Sequence, residues 1–182
     1  FIIDCTRTMD TTLQVVLNTI EEVVGVYEKA NVKIRMGLTE FRDQQYPEDE
    51  RKNLHLHHHH EFEESHFTEE VDLFSESLKA LVARGGGPMK ESCFDALVST
   101  AENLDWGAGS DRVLVFFSDA QPRQKDVLVT GGVDEAADRL KDSGVNQIHL
   151  VIDKVKFEKD YYEILLIPNP SNPDEEDIPG GT

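Results

Sequence analysis

The chain has 182 residues, of which 38% are hydrophobic and 30% charged, a composition typical of one folded domain with a sizeable core. Acidic residues outnumber basic ones by 36 to 18, so the formal net charge is −18. This excess argues against binding to nucleic acid or to an anionic membrane surface, since both require clustered Lys and Arg. The sequence contains no apolar run long enough to cross a membrane.

The sequence opens inside an apolar stretch, which indicates an excised fragment. We therefore expect other domains elsewhere in the full-length chain. Cys5 and Cys93 are too few for a disulfide framework or for a zinc site of their own, so free thiols are expected. The compartment is left open, and the low cysteine count together with the lack of a visible targeting segment favours an intracellular setting.

Apolar spacing predicts strands that alternate with helices. Phe1–Ile3 is a short apolar strand that ends at Asp4, and the next segment places apolar residues at i, i+3, i+4 and i+7, as one face of a helix requires. The alternation in Val32–Phe41 predicts a second strand, and Asp43–Asn53 is a polar loop. The residues of the helical face are Leu13, Val16, Leu17, Ile20, Val23, Val24 and Tyr27.

The rest of the chain continues this alternation. Leu54–Phe67 is rich in His and Glu with hints of a two-residue period, which is typical of an edge strand. Val113–Phe117 and Ile148–Ile152 are apolar throughout or nearly so, which predicts strands buried on both faces. Apolar spacing predicts three further helices. The first contains Phe74, Leu78, Leu81 and Val82 and ends before Gly85–Gly87. The second follows Ser92 and contains Phe94, Leu97, Val98 and Ala101, and the third contains Ala136, Ala137 and Leu140.

This order of elements predicts an α/β fold, with a doubly wound, mostly parallel sheet that is flanked by helices and has one antiparallel edge strand. We expect a single domain over residues 1–167. Residues 168–182 carry four prolines around the acidic run Asp174–Asp177, so this segment is predicted to be a loop or linker that leads to a last strand beyond the fragment.

Three polar segments are predicted to meet at one edge of this sheet. Asp4–Thr8 follows the first strand, Gly85–Ser92 precedes the third helix, and Ser118–Ala120 follows the Val113–Phe117 strand. In open α/β sheets, ligands bind in the crevice beyond the carboxyl ends of the strands. A ligand site is therefore expected where these segments converge.

The first of these segments has the chemistry of a cation site. Asp4, Thr6 and Thr8 offer one carboxylate and two hydroxyls at alternate positions, which a tight loop can turn to the same side. Mg²⁺ prefers oxygen ligands in a near-octahedral array at about 2.0–2.1 Å. Because neutral hydroxyls do not cancel the charge of the metal, such a site can take a carboxylate from a partner without any bond being broken.

Several segments match one known pattern in the same order along the chain. Phe-Ile-Ile-Asp-Cys-Thr-Arg-Thr-Met at the start resembles the metal-ion-dependent adhesion site (MIDAS) of von Willebrand factor A-type domains, which is usually Asp-x-Ser-x-Ser or Asp-x-Thr-x-Ser. The other segments similar to this family are Gly37–Asp43, Gly85–Ser92 with Asp95–Leu97, Val113–Pro122 and the terminal Gly180–Thr182.

The resemblance implies a Rossmann-like fold and a metal-dependent protein-binding module rather than an enzyme. It implies that Asp4, Thr6 and Thr8 are ligands from the first loop and that Asp119 is the second carboxylate, acting directly or through a water molecule. The cofactor it implies is Mg²⁺, with Mn²⁺ or Ca²⁺ as alternatives. The implied partner is a protein that supplies a carboxylate ligand.

Among the positions that depart from the family pattern, which include Thr8 and Lys90, three bear most on the proposed metal site. Arg7 stands where Gly is common and brings a cation beside the proposed metal, which would lower the affinity unless its side chain points outward. Pro88 stands where the glycine-rich segment usually has Asp. Glu91 occupies the position of the usual threonine ligand, which makes it a candidate third-loop ligand ahead of Ser92, and an added carboxylate favours tolerance of Ca²⁺.

Other interpretations stay open at this point. Asp4 is also suited to cap a helix N-terminus, although the coincidence with Asp119 at a second strand end favours a metal. Arg7 and Pro88 support a purely structural interaction domain without metal. An apolar strand followed by Asp-x-Thr-x-Thr is also similar to haloacid-dehalogenase-type phosphatases, but these need a second acidic residue where this chain has Thr6.

The histidines between His55 and His66 form a separate cluster. Side chains two residues apart on a strand share a face, so His58 with His60, or His57 with His59, could hold Zn²⁺ or Ni²⁺. The favoured interpretation is a solvated edge or loop whose histidines titrate near neutral pH.

Overall fold

The computed structural model describes residues 1–43, 57–86, 90–152, 158–165 and 167. Within these residues the strands are β1 (Ile2–Asp4), β2 (Thr39–Phe41), β3 (His57–His59), β4 (Lys90–Glu91), β5 (Val113–Phe117), β6 (Gln121–Pro122) and β7 (Gln147–Val151). The α-helices are α1 (Leu13–Lys29), α2 (Val71–Lys79), α3 (Cys93–Asn103), α4 (Val133–Asp142) and α5 (Tyr162–Leu165). Short 3-10 turns cover Arg7–Thr11 and Glu158–Asp160.

The main sheet contains five strands in the order β3-β2-β1-β5-β7. Strands β2, β1, β5 and β7 are parallel, whereas β3 pairs antiparallel with β2. In β1, Ile3 lies opposite Glu40 on one side and opposite Phe117 on the other. The predicted architecture, a mostly parallel sheet flanked by helices with one antiparallel edge strand, is confirmed.

Two hydrophobic cores cover the two faces of this sheet. Ile2 and Phe116 pack with α3, α4 and α5 on one face, and Ile3 packs with α1 and α2 on the other. Ile2 and Ile3 are both fully buried because successive side chains of a strand point to opposite faces. Each such side chain contributes about 1.5–3 kcal/mol of burial free energy. This packing fixes the register of β1 and so places Asp4 at the end of the strand.

The second strand is shorter than predicted. Val32–Phe41 was expected to be a strand, but β2 begins at Thr39. The ladder with β1 starts at the pair Ile2 and Thr39, and Met36 makes only an isolated antiparallel bridge with Thr68. Met36 and Leu38 therefore alternate because both side chains are buried, and they do not belong to a continuous ladder.

The second helix also ends earlier than predicted, at Lys79. Leu81 is buried, but Val82 is 53% exposed. The chain turns after the helix so that the backbone N–H of Arg84 donates to the carbonyl of Cys5 at 2.9 Å. This long-range bond takes a donor that a continuing helix would have used internally.

Two further predictions are wrong in part, one at β3 and one at β7. Only His57–His59 of the predicted Leu54–Phe67 strand forms a strand among the described residues, because the chain then turns at Glu63, whose φ is +59°. The predicted buried strand Ile148–Ile152 is observed as β7, but its Val151 is 51% exposed. Among the described residues β7 pairs with β5 alone and forms an edge of the sheet, and none of its five residues is fully buried.

Some predictions fall on residues that the structure does not describe. These are the loop residues from 44 to 53, His55, Pro88, and the predicted linker 168–182 with its terminal Gly180–Thr182. The boundary at residue 167 stays a prediction. None of the helices in the described part of the chain combines the length and the apolar composition needed to span a membrane.

Candidate functional site

The candidate site lies where β1 and β5 end side by side. Ile3 and Phe117 are paired in the parallel ladder, so Asp4, the last residue of β1, and Ser118, the first residue after β5, lie at the same edge of the sheet. A second, two-stranded sheet joins β4 to β6, which follows Asp119 by two residues. This pairing brings the segment before α3 to the same edge, and the predicted convergence of three segments is observed.

Asp4 is fully buried at the base of the site and accepts hydrogen bonds on both carboxylate oxygens. The Thr6 hydroxyl and the Thr6 backbone N–H donate to Oδ1 at 2.7 and 2.9 Å. The Ser118 hydroxyl donates to Oδ2 at 2.6 Å. Asp4 therefore orients two hydroxyl groups from different loops around one carboxylate.

The line of oxygen contacts continues from Thr6 to the surface. Oγ1 of Thr6 lies 3.1 Å from Oγ1 of Thr8, and the Thr8 hydroxyl donates to Oδ1 of Asp119 at 2.9 Å. Thr8 and Asp119 are exposed, whereas Thr6 is buried. We call Asp4, Thr6, Thr8, Ser118 and Asp119 the oxygen cluster. It opens to solvent on the side of Thr8 and Asp119.

Glu91 approaches the oxygen cluster from the third segment. A Cβ placed on Gly86 would lie 2.8 Å from Cβ of Thr6 and 2.9 Å from Oε1 of Glu91, so the Glu91 carboxylate and the Thr6 side chain border the same small space. Gly86 has φ = +88°, which a side chain would strain. Only glycine lets the two segments approach this closely.

The side chain of Arg7 is exposed rather than buried beside Asp4. The backbone N–H of Arg7 donates to the carbonyl of Gly85 at 3.1 Å, which ties the first loop to the glycine-rich segment. Because the Arg7 side chain is in solvent, its charge is screened.

Burial and hydrogen bonding shift the pKa of Asp4 in opposite directions. Burial raises the pKa of Asp4 to about 6, hydrogen bonds from Ser118 and Thr6 oppose the rise, and the negative charge of Asp119 adds to it. Asp4, Asp119 and Glu91 bring three carboxyl groups to one edge of the sheet. A bound cation would offset this concentration of negative charge.

The donor set fits a hard divalent cation. Neighbouring oxygens around an octahedral Mg²⁺ at about 2.1 Å lie about 3.0 Å apart, and the contacts Asp4–Thr6, Thr6–Thr8 and Thr8–Asp119 measure 2.7, 3.1 and 2.9 Å. Each hydroxyl keeps a lone pair for a cation while its proton is donated to a carboxylate. The third carboxylate, Glu91, extends the fit to Ca²⁺, which takes more oxygen ligands than Mg²⁺.

Helix capping does not account for Asp4. Helix α1 begins at Leu13, and its N-cap residue is Thr12, whose side chain makes no capping bond. Asp4 instead accepts the N–H of Thr6 two residues on, which stabilises the loop itself. The alternative that Asp4 caps the first helix is therefore wrong.

Ser118 is the member of the cluster that the predicted ligand set left out. Its hydroxyl is buried and contacts both Asp4 and the backbone N–H of Ala120. The sequence feature that could have identified Ser118 is its position next to Asp119 at the end of β5. Ser92, the weaker third-loop candidate, is buried, and its carbonyl accepts a hydrogen bond from the ring of His57. Cys5 and Cys93 are buried free thiols, as predicted.

A comparison with protein-family models identifies the family of this chain. The family model of the von Willebrand factor type A domain matches residues 1–177. This chain belongs to the von Willebrand factor type A (vWA) family. Family membership, as the sequence resemblance implied, is confirmed, and vWA domains generally mediate protein interactions. No curated protein was found to match the chain.

Proposed function

We propose that this vWA domain binds a protein partner through a divalent cation held at a MIDAS-type site. Asp4, Thr6, Thr8 and Asp119 would hold the cation, with Glu91 as the ligand from the third segment. Mg²⁺ is the proposed cofactor, with Mn²⁺ and Ca²⁺ as alternatives. The observation that carries the proposal is the unbroken line of oxygen contacts from buried Asp4 to exposed Asp119.

The division of the cluster into a buried and an exposed part supports binding rather than catalysis. When bound, the cation would supply an electrophilic centre for a carboxylate oxygen of the partner. Asp4 and Ser118 lie beneath the surface and position the hydroxyls. Thr8 and Asp119 line the side that faces solvent, where a partner can approach. The two neutral hydroxyls of Thr6 and Thr8 hold the cation without cancelling its charge.

Thermal unfolding with and without Mg²⁺ tests the metal. A ligand at 100 times its Kd stabilises the folded state by about 2.7 kcal/mol, which raises the Tm of a domain of this size by roughly 5–10 °C. Asp119→Asn should remove most of this gain. The matched control is Asp111→Asn, because Asp111 is also an exposed aspartate but precedes β5 instead of following it.

Two results would contradict the proposal. One is a Tm that none of Mg²⁺, Mn²⁺ and Ca²⁺ raises, and the other is an equal loss of the gain in both variants. The first result would leave a metal-free interaction domain, and the second would show that the stabilisation does not depend on the proposed ligand Asp119. The carboxylate step is tested separately with paired peptides that contain Asp or Glu against Asn or Gln. Mg²⁺-dependent capture confined to the acidic peptides, and abolished by EDTA, is expected.

A further inference from the structure

The histidines of the antiparallel edge strand divide into two sets according to the face of the sheet. His57 and His59 face α3. In His59, Nδ1 lies 2.9 Å from the Thr39 hydroxyl and Nε2 lies 2.9 Å from the Ser99 hydroxyl. Burial lowers the pKa of His57 to about 3 and that of His59 to about 4. These two rings are therefore neutral at pH 7 and pack on the side of the sheet that faces α3.

The other set gathers around Glu40. His58 lies directly opposite Glu40 in the antiparallel register, which places the two side chains on the same face. The backbone N–H of His60 donates to the carbonyl of Leu38 at 2.9 Å, so the chain continues alongside β2 beyond β3. The rings of His58 and His60 have centroids 4.5 Å apart.

Glu40, His58 and His60 bring three ligand atoms close together. One carboxylate oxygen and one ring nitrogen from each histidine all lie within 4.8 Å of one another. The side chain of Glu40 is 13% exposed and that of His60 is 15% exposed. We call these three residues the histidine cluster.

The contact between Glu40 and His60 is longer than a hydrogen bond. Nε2 of His60 lies 3.6 Å from Oε1 of Glu40, which is too long for a hydrogen bond. This nitrogen is buried and has no hydrogen-bond partner among the described residues. A buried polar atom in this condition calls for an explanation. In a tetrahedral site with ligands at about 2.0–2.1 Å, ligand atoms lie about 3.4 Å apart, which is close to the observed separation.

Arg42 fixes the carboxylate from the opposite side. Its guanidinium contacts Oε2 of Glu40 at 2.9 Å and donates to the carbonyls of Val82 and Arg84, so Oε1 is the oxygen that faces His60. Although burial alone raises the pKa of Glu40, contacts with His60 and Arg42 lower it to about 2. The carboxylate is therefore ionised at neutral pH.

We propose that Glu40, His58 and His60 form a second metal site, selective for Zn²⁺ and similar transition-metal cations. Two imidazoles with one carboxylate match the ligands that Zn²⁺ takes in proteins, with the fourth position left to water. Mg²⁺ prefers oxygen ligands alone and is not expected to bind here. The ion would join β3 to β2 and so fasten an edge strand to the sheet. This proposal does not depend on the proposed MIDAS-type site.

Zn²⁺ titration of the tag-free protein tests the site. Isothermal titration calorimetry should give one strong Zn²⁺ site, and Co²⁺ should give the visible absorption of a tetrahedral complex. In the variant His58→Gln/His60→Gln the Zn²⁺ affinity should fall by at least roughly 100-fold, since loss of even an outer-sphere partner of a zinc ligand costs about 10–100-fold. The matched control is His149→Gln, because His149 is exposed on β7 and should leave the affinity unchanged.

A second measurement avoids variants altogether. In the unmodified protein, Zn²⁺ should shift the imidazole ¹⁵N resonances of His58 and His60 and leave those of His57, His59 and His149 unchanged. The site is overturned if Zn²⁺ shifts His149 or the pair that faces α3 instead, or if the affinities of the variant and the control are equal. Glu40→Gln, which keeps the size of the side chain, should weaken Zn²⁺ binding while circular dichroism shows an unchanged fold.

Discussion

The oxygen cluster and the histidine cluster lie at adjacent strands but are built in different ways. The oxygen cluster is assembled from loops after two strand ends, and the order of the strands brings Asp4 and Asp119 together. The histidine cluster uses one regular cross-strand pair, Glu40 with His58, and the next residue on the same face, His60. The metal that each cluster is expected to bind therefore follows from its donor atoms rather than from its position in the fold. Oxygen ligands favour Mg²⁺, and imidazole nitrogens favour Zn²⁺.

The largest expected effect is that of Asp4→Asn. This change should weaken Mg²⁺ binding by at least about 100-fold and leave Zn²⁺ binding unchanged. Because burial raises the pKa of Asp4 to about 6, the ionised carboxylate costs stability at pH 7. The metal-free variant should therefore be more stable than the unmodified protein by on the order of 1–3 kcal/mol.

Urea unfolding at pH 7 with and without Mg²⁺ measures both parts of this prediction. Asp10→Asn is the matched control, because Asp10 is an exposed aspartate a few residues further along the chain. A metal-free variant that is less stable than the unmodified protein would show that the hydrogen bonds to Asp4 outweigh the cost of burying its charge.

The next effect is a pH dependence that comes from the core-facing pair of histidines. In the unfolded chain His57 and His59 take up protons near pH 6.5, whereas in the folded protein their pKa values are about 3 and 4. Their contribution to stability is therefore fully present above pH 6.5 and is lost as the pH falls. The expected slope is up to about 1.4 kcal/mol per pH unit for His57 and less for the more exposed His59.

The contribution of Asp4 has the opposite sign. Its folded pKa of about 6 lies above the ordinary value of 3.8, so its contribution to stability grows as the pH falls from about 6 to 4.

Urea unfolding of metal-free protein between pH 4 and 7 should show a shallower loss of stability in His59→Gln than in the unmodified protein. If stability falls with pH equally steeply in both proteins, the pKa of His59 is not lowered in the folded state.

A smaller effect is expected at Glu91. Glu91→Gln removes one of the three carboxyl groups at the candidate site and should weaken cation binding by about tenfold, more for Ca²⁺ than for Mg²⁺. Titration with each cation, with Glu22→Gln on the exposed side of α1 as the control, measures the change. Unchanged affinities for both cations would remove Glu91 from the ligand set and leave Asp4 and Asp119 as its two carboxylates.

The smallest expected effect is that of Arg7→Ala. Because the Arg7 side chain is exposed, solvent and salt screen its charge, and the Mg²⁺ affinity should change by less than about threefold. Comparison of the two Mg²⁺ titrations at low and physiological salt checks this. A large gain in affinity would place the guanidinium close to the cation in solution.

Much of the fold could be predicted from local pattern. The apolar runs predicted β1 and β5, and the helical spacing predicted α1, α3 and α4. Val23 and Tyr27 of the predicted α1 face and Val113 of β5 are nevertheless exposed. Asp4 and Asp119 could also be predicted as neighbours, because each follows a buried strand and parallel strands end at one edge of a sheet. The length of β2 and the exposure of β7 could not, since both depend on which residues lie alongside.

The sequence by itself determined the donor types, their order and the alternation of faces, because these depend on covalent geometry and on side-chain chemistry. Only the tertiary structure decided which alternate histidines face α3 and which face Glu40, that Ser118 donates to Asp4, and that Gly86 lets Glu91 approach Thr6. Those facts depend on the register and packing of segments far apart in the chain, and a local pattern does not contain the partner against which a side chain is buried.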